Sequence, residues 1–289
     1  MKQLLVLSGK GGTGKTTISS ALIDLLHAKA YGDCDVDAPN LHLVVPESGL
    51  TEKKPFFGMD IFHINPDKCI NCGLCLRECR FHAIEILEGK HHINPLKCEG
   101  CAFCAEICPL KAITPIKNET GYTQITIDRD TLFSTARLHI GKGNSGLLVS
   151  EVKKPIEAFV DRDDLAILDG SPGIGCPVIT SIRGVDYVLI VTEPSISALH
   201  DMERLLKTIN HFNVPCAVCI NKCDVSLTVR DKIIEFCKKK GLDILGSIPY
   251  DQRVVKSLNT KKRMLDIPGP FTSAIITLSQ NIQKWMKIV

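Results

Sequence analysis

The chain has 289 residues, 44% of them hydrophobic and 23% charged, with a net charge of +3. Such a length supports a real core and one or two domains, and such a composition excludes a disordered chain. The small charge, with no basic stripe interleaved with aromatics, gives no expectation of nucleic acid; runs such as YVLIV (187–191) are too short for a transmembrane segment, and no cleavable leader precedes the first strand, so the expected location is cytoplasmic.

QLLVLSGKGGTGKTT reads as an apolar strand, a glycine-rich turn and a helix beginning near Lys15. Within it, GKGGTGKT (9–16) satisfies G-x-x-x-x-G-K-[ST] in the required strand–loop–helix setting. After Gly9, the backbone N–H groups of Gly11, Gly12, Thr13 and Gly14 are expected to line a phosphate cradle. Lys15 is expected on the β- and γ-phosphates and the Thr16 hydroxyl on Mg²⁺. The same letters contain G-x-G-x-x-G at Gly9, Gly11 and Gly14, with Asp33 downstream, which is a dinucleotide alternative. The Lys-Thr pair favours a nucleoside triphosphate, because it serves no purpose on a pyrophosphate lacking Mg²⁺. GDCDVDAPN (32–40) then puts three carboxylates, Asp33, Asp35 and Asp37, at the end of a second strand.

Between 59 and 117 the chain repeats itself. HINPDKCINCGLCLRECRFHAIEI (63–86) matches HINPLKCEGCAFCAEICPLKAITP (92–115), an offset of 29 residues from His63 to His92. Fourteen cysteines in a chain of this size point to metal or cluster ligation, and eight of them lie in this repeat. Each half supplies C-x₂-C-x₂-C-x₃-C. Three closely spaced thiolates cover one face of a [4Fe–4S] cube, while the fourth, expected at a helix start, ligates the other cube. One cluster is therefore expected on Cys69, Cys72, Cys75 and Cys108, the other on Cys98, Cys101, Cys104 and Cys79. The spacing is similar to that of two-cluster bacterial ferredoxins, except that Arg80 stands where a proline usually follows the fourth cysteine. A zinc site needs paired C-x₂-C at longer separation and leaves ligands over. Clusters that only staple an insert with little core are the alternative to electron transfer.

Beyond the insert, GYTQITID (121–128) reads as a short strand, and the stretch to residue 160 carries no legible chemistry. LAILDGSPG (165–173) puts Asp169 at the end of an apolar strand, where it can hold Mg²⁺, with the Gly173 N–H able to sense a γ-phosphate. YVLIV, CAVCI (216–220) and ILGSI (244–248) are further apolar strands, with helices predicted at Leu199–His211 and Val229–Lys240. INKCD (220–224) puts Asn221 after a strand, able to bond a base edge. Cys34, Cys216, Cys219 and Cys237 read as small apolar residues. The C-terminal FTSAIITLSQNIQKWMKIV reads as a helix packed through Phe271, Ile275, Ile276, Ile282 and Trp285. Continuous apolar strands alternating with helices give an α/β fold, a doubly wound, mostly parallel sheet with an inserted α+β ferredoxin domain. The predicted domains are a P-loop ATPase of residues 1–58 and 118–289, interrupted by the two-[4Fe–4S] insert of 59–117.

KGGTGKTT (10–17), with its second lysine Lys10 and with Thr17 closing the motif, resembles the deviant Walker A loop of the MinD/ParA/nitrogenase-iron-protein group of P-loop ATPases. EPSISALHD (193–201) and IPYDQRVV (248–255) carry the likeness through most of the chain outside the insert. The resemblance implies a dimer, with itself or a related chain, that sandwiches two ATP molecules. It implies that Lys10 reaches the partner's ATP, that Asp35 orients the attacking water and that Asp169 is the switch II aspartate. Cys176, after Gly173, stands where the nitrogenase iron protein has one ligand of a bridging cluster. The implied activity is Mg²⁺-dependent ATP hydrolysis that gates electron transfer through two [4Fe–4S] clusters to a redox partner. The alternatives are a carrier that donates clusters to an apo-acceptor protein and a positioning ATPase with structural or sensory clusters.

Overall fold

The computed structural model describes residues 1–45, 49–254 and 264–287. In chain order its first elements are β1 (Lys2–Ser8), α1 (Lys15–Leu25), β2 (Ala30–Asp33), β3 (Leu50–Phe57), β4 (Ile61–Ile64), α2 (Leu74–Glu78), β5 (Ile84–Leu87), β6 (Lys90–Ile93), α3 (Phe103–Glu106) and β7 (Ile113–Ile116). There follow β8 (Glu119–Asp128), β9 (Thr131–Leu138), α4 (Ser145–Phe159), β10 (Leu165–Pro172), α5 (Cys176–Ile182), β11 (Tyr187–Thr192), α6 (Ile196–Asn210), β12 (Cys216–Asn221), α7 (Leu227–Lys240), β13 (Ile244–Ile248) and α8 (Pro270–Trp285). By its contacts the chain divides into two compact units. One comprises residues 1–53, 123–137 and 145–289, the other 54–122 and 138–144.

In the first unit, β1, β2, β10, β11 and β12 are buried almost throughout, as strands covered on both faces must be. Among the described residues the sheet runs β13-β12-β11-β1-β10-β2-β9-β8-β3, and the ladders from β13 to β9 are parallel. From β1 the chain moves past β10 to β2, and from β10 it crosses back over β1 to β11. The carboxyl ends of β1 and β10 therefore flank the point where the winding reverses, the place such sheets keep for a ligand. Register aligns Val6 with Asp169 and Asp169 with Asp33.

The expected mostly parallel α/β sheet is present, and some details depart from expectation. Strand β9 was not foreseen: Ser134 and Thr135 interrupt its apolar pattern, yet both are buried beside β2. Helix α6 starts three residues earlier than predicted, because Ser195 caps it by accepting the Ala198 N–H at 3.2 Å. Helix α8 buries Phe271, Ile275, Leu278 and Ile282 and sets Trp285 edge-on to Tyr187. Ile276, expected on that face, is exposed. Val255, the last residue of IPYDQRVV, lies outside the described residues.

In the second unit the repeat folds as two interlocked halves. The lead-in strand of the first half, β4, pairs antiparallel with β7 of the second half, while β5 of the first pairs with β6 of the second. Asn65 N–H donates to the Ala112 carbonyl, and 29 residues on Asn94 N–H donates to Ala83. Left-handed backbone recurs at the same offset: Asn71 and Gly100, Gly73 and Ala102, His82 and Lys111. The buried aliphatic core is Ile64, Ile84, Ile93 and Ile113, with cysteines packed around it. At roughly 1.5–3 kcal/mol for each fully buried isoleucine, this is a thin core. The fourth cysteine of each run does not start a helix as expected. Cys79 caps the end of α2, and turns close with His82 N–H on the Cys79 carbonyl and Lys111 N–H on that of Cys108. The turn is the same with Arg80 as with Pro109.

Gly32 is closely packed beneath β2. A Cβ there would stand 2.7 Å from Ile156 Cδ1 and 3.0 Å from Leu168 Cδ2. Gly32→Ala is expected to destabilise the chain by about 1–3 kcal/mol, read as a lower denaturant midpoint.

Candidate functional site

Asp169, fully buried at the carboxyl end of β10, gathers the start of α1 around it. Lys15 Nζ lies 2.8 Å from its Oδ1, the Ser19 hydroxyl donates to the same oxygen at 2.8 Å, and the Thr16 hydroxyl donates to Oδ2 at 2.6 Å. Lys15 and Ser19 share a face of α1 because they are four residues apart. Ser19 was missed from the sequence, although that spacing could have found it. A buried ion pair is tolerable only with its remaining valences satisfied, and the two hydroxyls do this.

Beside it, Asp33 accepts the backbone N–H groups of Asp35, Asn40 and Leu41 at 3.0, 2.8 and 2.8 Å, folding the segment after β2 around one carboxylate. Burial, and then the neighbouring Asp169, push its pKa up to about 7 against the pull of those donors. Asp35 is raised as well, chiefly by burial, while the charge of Lys15 opposes the rise.

The loop between β1 and α1 is braced from two sides. A Cβ on Gly9 would meet Asp201 at 2.6 Å, and one on Gly14, whose φ is +86°, would meet Asn221 Nδ2 at 2.2 Å. Asn221 donates to the Thr13 carbonyl at 2.7 Å, and its Oδ1 accepts the Lys222 N–H at 3.0 Å, so its amide is engaged with the loop. Gly11 and Gly12 are exposed and Thr17 is half-buried on α1. The Thr13 hydroxyl is buried with no partner among the described residues, as suits a loop that receives a polar ligand. Gly173 N–H, expected to be free for a phosphate, donates to the Ser8 carbonyl at 3.0 Å.

Lys10 is held within its own chain. Its Nζ lies 2.8 Å from Glu193, 3.0 Å from the Ser195 hydroxyl and 3.2 Å from that of Ser197. Lys222 shares Glu193 at 2.7 Å and donates to the Gly12 carbonyl at 2.8 Å. Burial works to raise Glu193, but the hydrogen bonds from Lys10 and Lys222 outweigh it and hold the carboxyl below its ordinary value. Nothing local in the sequence marks Glu193 or Lys222, because the fold alone brings β11 and β12 to the loop.

The eight cysteines of the repeat line two cavities of the second unit. Cys69, Cys72, Cys75 and Cys108 line one, of about 20 Å³; Cys79, Cys98, Cys101 and Cys104 line the other, of about 390 Å³, joined by Cys75 and Arg80. Backbone N–H groups donate to sulfur in matching places, Ala83 to Cys79 at 3.4 Å and Ala112 to Cys108 at 3.3 Å. Burial, then the neighbouring thiols of Cys98 and Cys101, push Cys104 up to about 11, a mutual opposition that a cationic group would relieve. Among the described residues no three His, Cys, Asp or Glu side chains converge as a single metal ion requires. A four-iron cube takes one thiolate per iron; each crossed set supplies four thiolates around its cavity, and the smaller cavity must widen to admit a cube. Cys34, Cys219 and Cys237 are buried, Cys216 is half-buried, and Cys176 is exposed at the start of α5. Among the described residues, no helix is long and apolar enough to cross a membrane.

The sequence pattern of the CobQ/CobB/MinD/ParA nucleotide binding domain matches residues 4–264. Uncharacterized protein MJ0578 of Methanocaldococcus jannaschii is 35% identical, across 98% of this chain and 97% of that one. An iron-sulfur cluster carrier protein of Pyrococcus furiosus is 24% identical over 86% of this chain and 74% of its own length. Among solved structures, septum site-determining protein MinD of Pyrococcus horikoshii, complexed with Mg-ADP, superposes with a TM-score of 0.57 at 16% identity, covering 99% of this chain and 98% of that one.

Because the folded pKa of Asp33 lies above its unfolded value of about 3.9, the folded chain binds that proton more tightly. The stability it contributes is full below about pH 4 and is lost as pH rises through about 7. Unfolding free energy of the nucleotide-free chain is expected to fall from pH 5 to pH 8. Asp33→Asn flattens that fall, as denaturant titrations at the two pH values measure.

Proposed function

The chain belongs to the CobQ/CobB/MinD/ParA nucleotide-binding family, and we propose that it is a dimeric, Mg²⁺-dependent ATPase whose nucleotide state gates electron transfer through two [4Fe–4S] clusters. The observation that carries this reading is the coexistence of two constellations in one chain. Lys15, Thr16 and Ser19 converge on the buried Asp169, and two crossed cysteine sets each line a cavity of the second unit. On this reading residues 59–117 are a ferredoxin-type insert in an ATPase domain of 1–58 and 118–289.

In the ATPase site, the N–H groups of Gly11 to Gly14 hold the phosphates of ATP, whose anhydride supplies the driving force when bound. Lys15 turns from Asp169 to the β- and γ-phosphates, and Thr16 and Asp169 hold Mg²⁺. Asp35 positions the attacking water. Gly173 gives up the Ser8 carbonyl to donate to the γ-phosphate, which orders the segment leading to α5. Lys10 leaves Glu193 and Ser195 for the nucleotide of the second subunit, where its charge offsets that of the transition state. Glu193, Lys222 and Asn221 hold the loop until then.

Cys69, Cys72, Cys75 and Cys108 hold one cluster, and Cys79, Cys98, Cys101 and Cys104 the other; the clusters supply one-electron chemistry to a partner redox protein. The likeness to an iron-sulfur cluster carrier protein favours a second reading, in which the clusters are cargo for an apo-acceptor.

Lys15→Ala is expected to abolish ATP binding in equilibrium dialysis. Lys10→Ala should leave binding largely intact and lower turnover by about 10³-fold or more. The gating reading is tested on fully loaded protein by comparing cluster potentials and electron-transfer rates to a redox acceptor with ATP, with ADP and without nucleotide. Equal values in all three states sink it, and rapid transfer of iron and sulfide to an apo-protein decides for the carrier.

A further inference from the structure

We infer that His91 donates a hydrogen bond to the cluster of Cys69, Cys72, Cys75 and Cys108, and so sets that cluster's reduction potential above its twin's. The inference rests on the two-cluster reading above.

His91 lines the cavity of these four cysteines. Its Nδ1 stands 3.0 Å from one end of the Asn71 side-chain amide, and the same amide atom lies 3.6 Å from Cys69 Sγ. The backbone N–H of Asn71 donates to that sulfur at 3.4 Å. An iron-bound thiolate carries no proton and can only accept. With Cys69 bound, the amide atom facing both sulfur and ring is the NH₂ end of Asn71, since the two ends of the amide exchange by a half-turn of the group. Nδ1 of His91 is then an acceptor, and the neutral ring carries its one proton on Nε2. Nε2 is buried and has no partner among the described residues. On this inference its acceptor is an inorganic sulfur of the cluster, since among the described residues no cysteine sulfur accepts from Nε2. Hydrogen bonds to cluster sulfur stabilise the added electron and raise the potential.

The repeat supplies its own control. Twenty-nine residues before His91 stands Phe62, which lines the other cavity and has no proton to give. The place of Asn71 is taken in that half by Gly100, which has no amide to orient a ring. The backbone halves match in strand pairing and left-handed positions. The two cavities therefore differ at this position in hydrogen-bond chemistry.

The test uses the full chain, reconstituted anaerobically with iron and sulfide, and reads metal and sulfide content before a redox titration followed by EPR. Wild type is expected to reduce in two separated waves. His91→Phe, which copies Phe62, lowers the upper wave by about 59 mV, a tenfold change in the reduced-to-oxidised ratio for one electron, and leaves the lower wave in place. His91→Gln keeps a donor and retains part of the separation. His91→Leu, which also lacks a donor, lowers the same wave and carries the test where His91→Phe does not load. A wild-type chain that takes up no iron and sulfide overturns the two-cluster reading beneath. Loaded His91→Phe or His91→Leu with both waves unmoved, or moved together, overturns the role of His91 alone.

Discussion

A single buried carboxylate organises the nucleotide-binding unit. Asp169 sits at 0% exposure where β10 ends, aligned with Val6 of β1 and Asp33 of β2. A charge so placed is tolerable only with dedicated partners. It takes them from α1, through Lys15, Thr16 and Ser19. That demand fixes the start of α1 against the sheet and poises the loop before it. Asp33, pushed toward its protonated form by burial and by Asp169, folds the next segment around itself with three backbone donors. The two carboxylates thus hold the segments after β1 and β2 where the reversal in strand order opens a ligand site.

A second constraint governs the cysteine-bearing unit. Its aliphatic core is thin, and its order comes from duplication: each half lends a strand to the other, and the left-handed turns fall at matched positions. Interlocking of this kind makes the fourth cysteine of each half a neighbour of the other half's first three. The symmetry of the backbone makes side-chain differences informative. Arg80 against Pro109 leaves the turn unchanged, while His91 against Phe62 exchanges a proton donor for an apolar ring.

Much was legible because it is local. The glycines and Lys15 of the loop, the apolar strands, and the repeat with its cysteines all depend on residues close in sequence. Strand β9 escaped because its polar Ser134 and Thr135 are buried only by their neighbours in the sheet. The helix start after Cys79 was misplaced because the turn there is set by backbone hydrogen bonds that residue type does not announce.

By itself the sequence determined the strand–loop–helix at residues 2–25, the parallel sheet and the eight-cysteine duplication, since periodicity and short-range spacing dictate each. Only the tertiary structure decided that Glu193 and Lys222 reach Lys10 and the loop, that Asn221 is spent on Thr13, and that the buried Nε2 of His91 has no partner among the described residues. Those contacts join residues as far as 210 positions apart, and hydrogen-bond geometry between such residues exists only after the sheet has brought strand ends together.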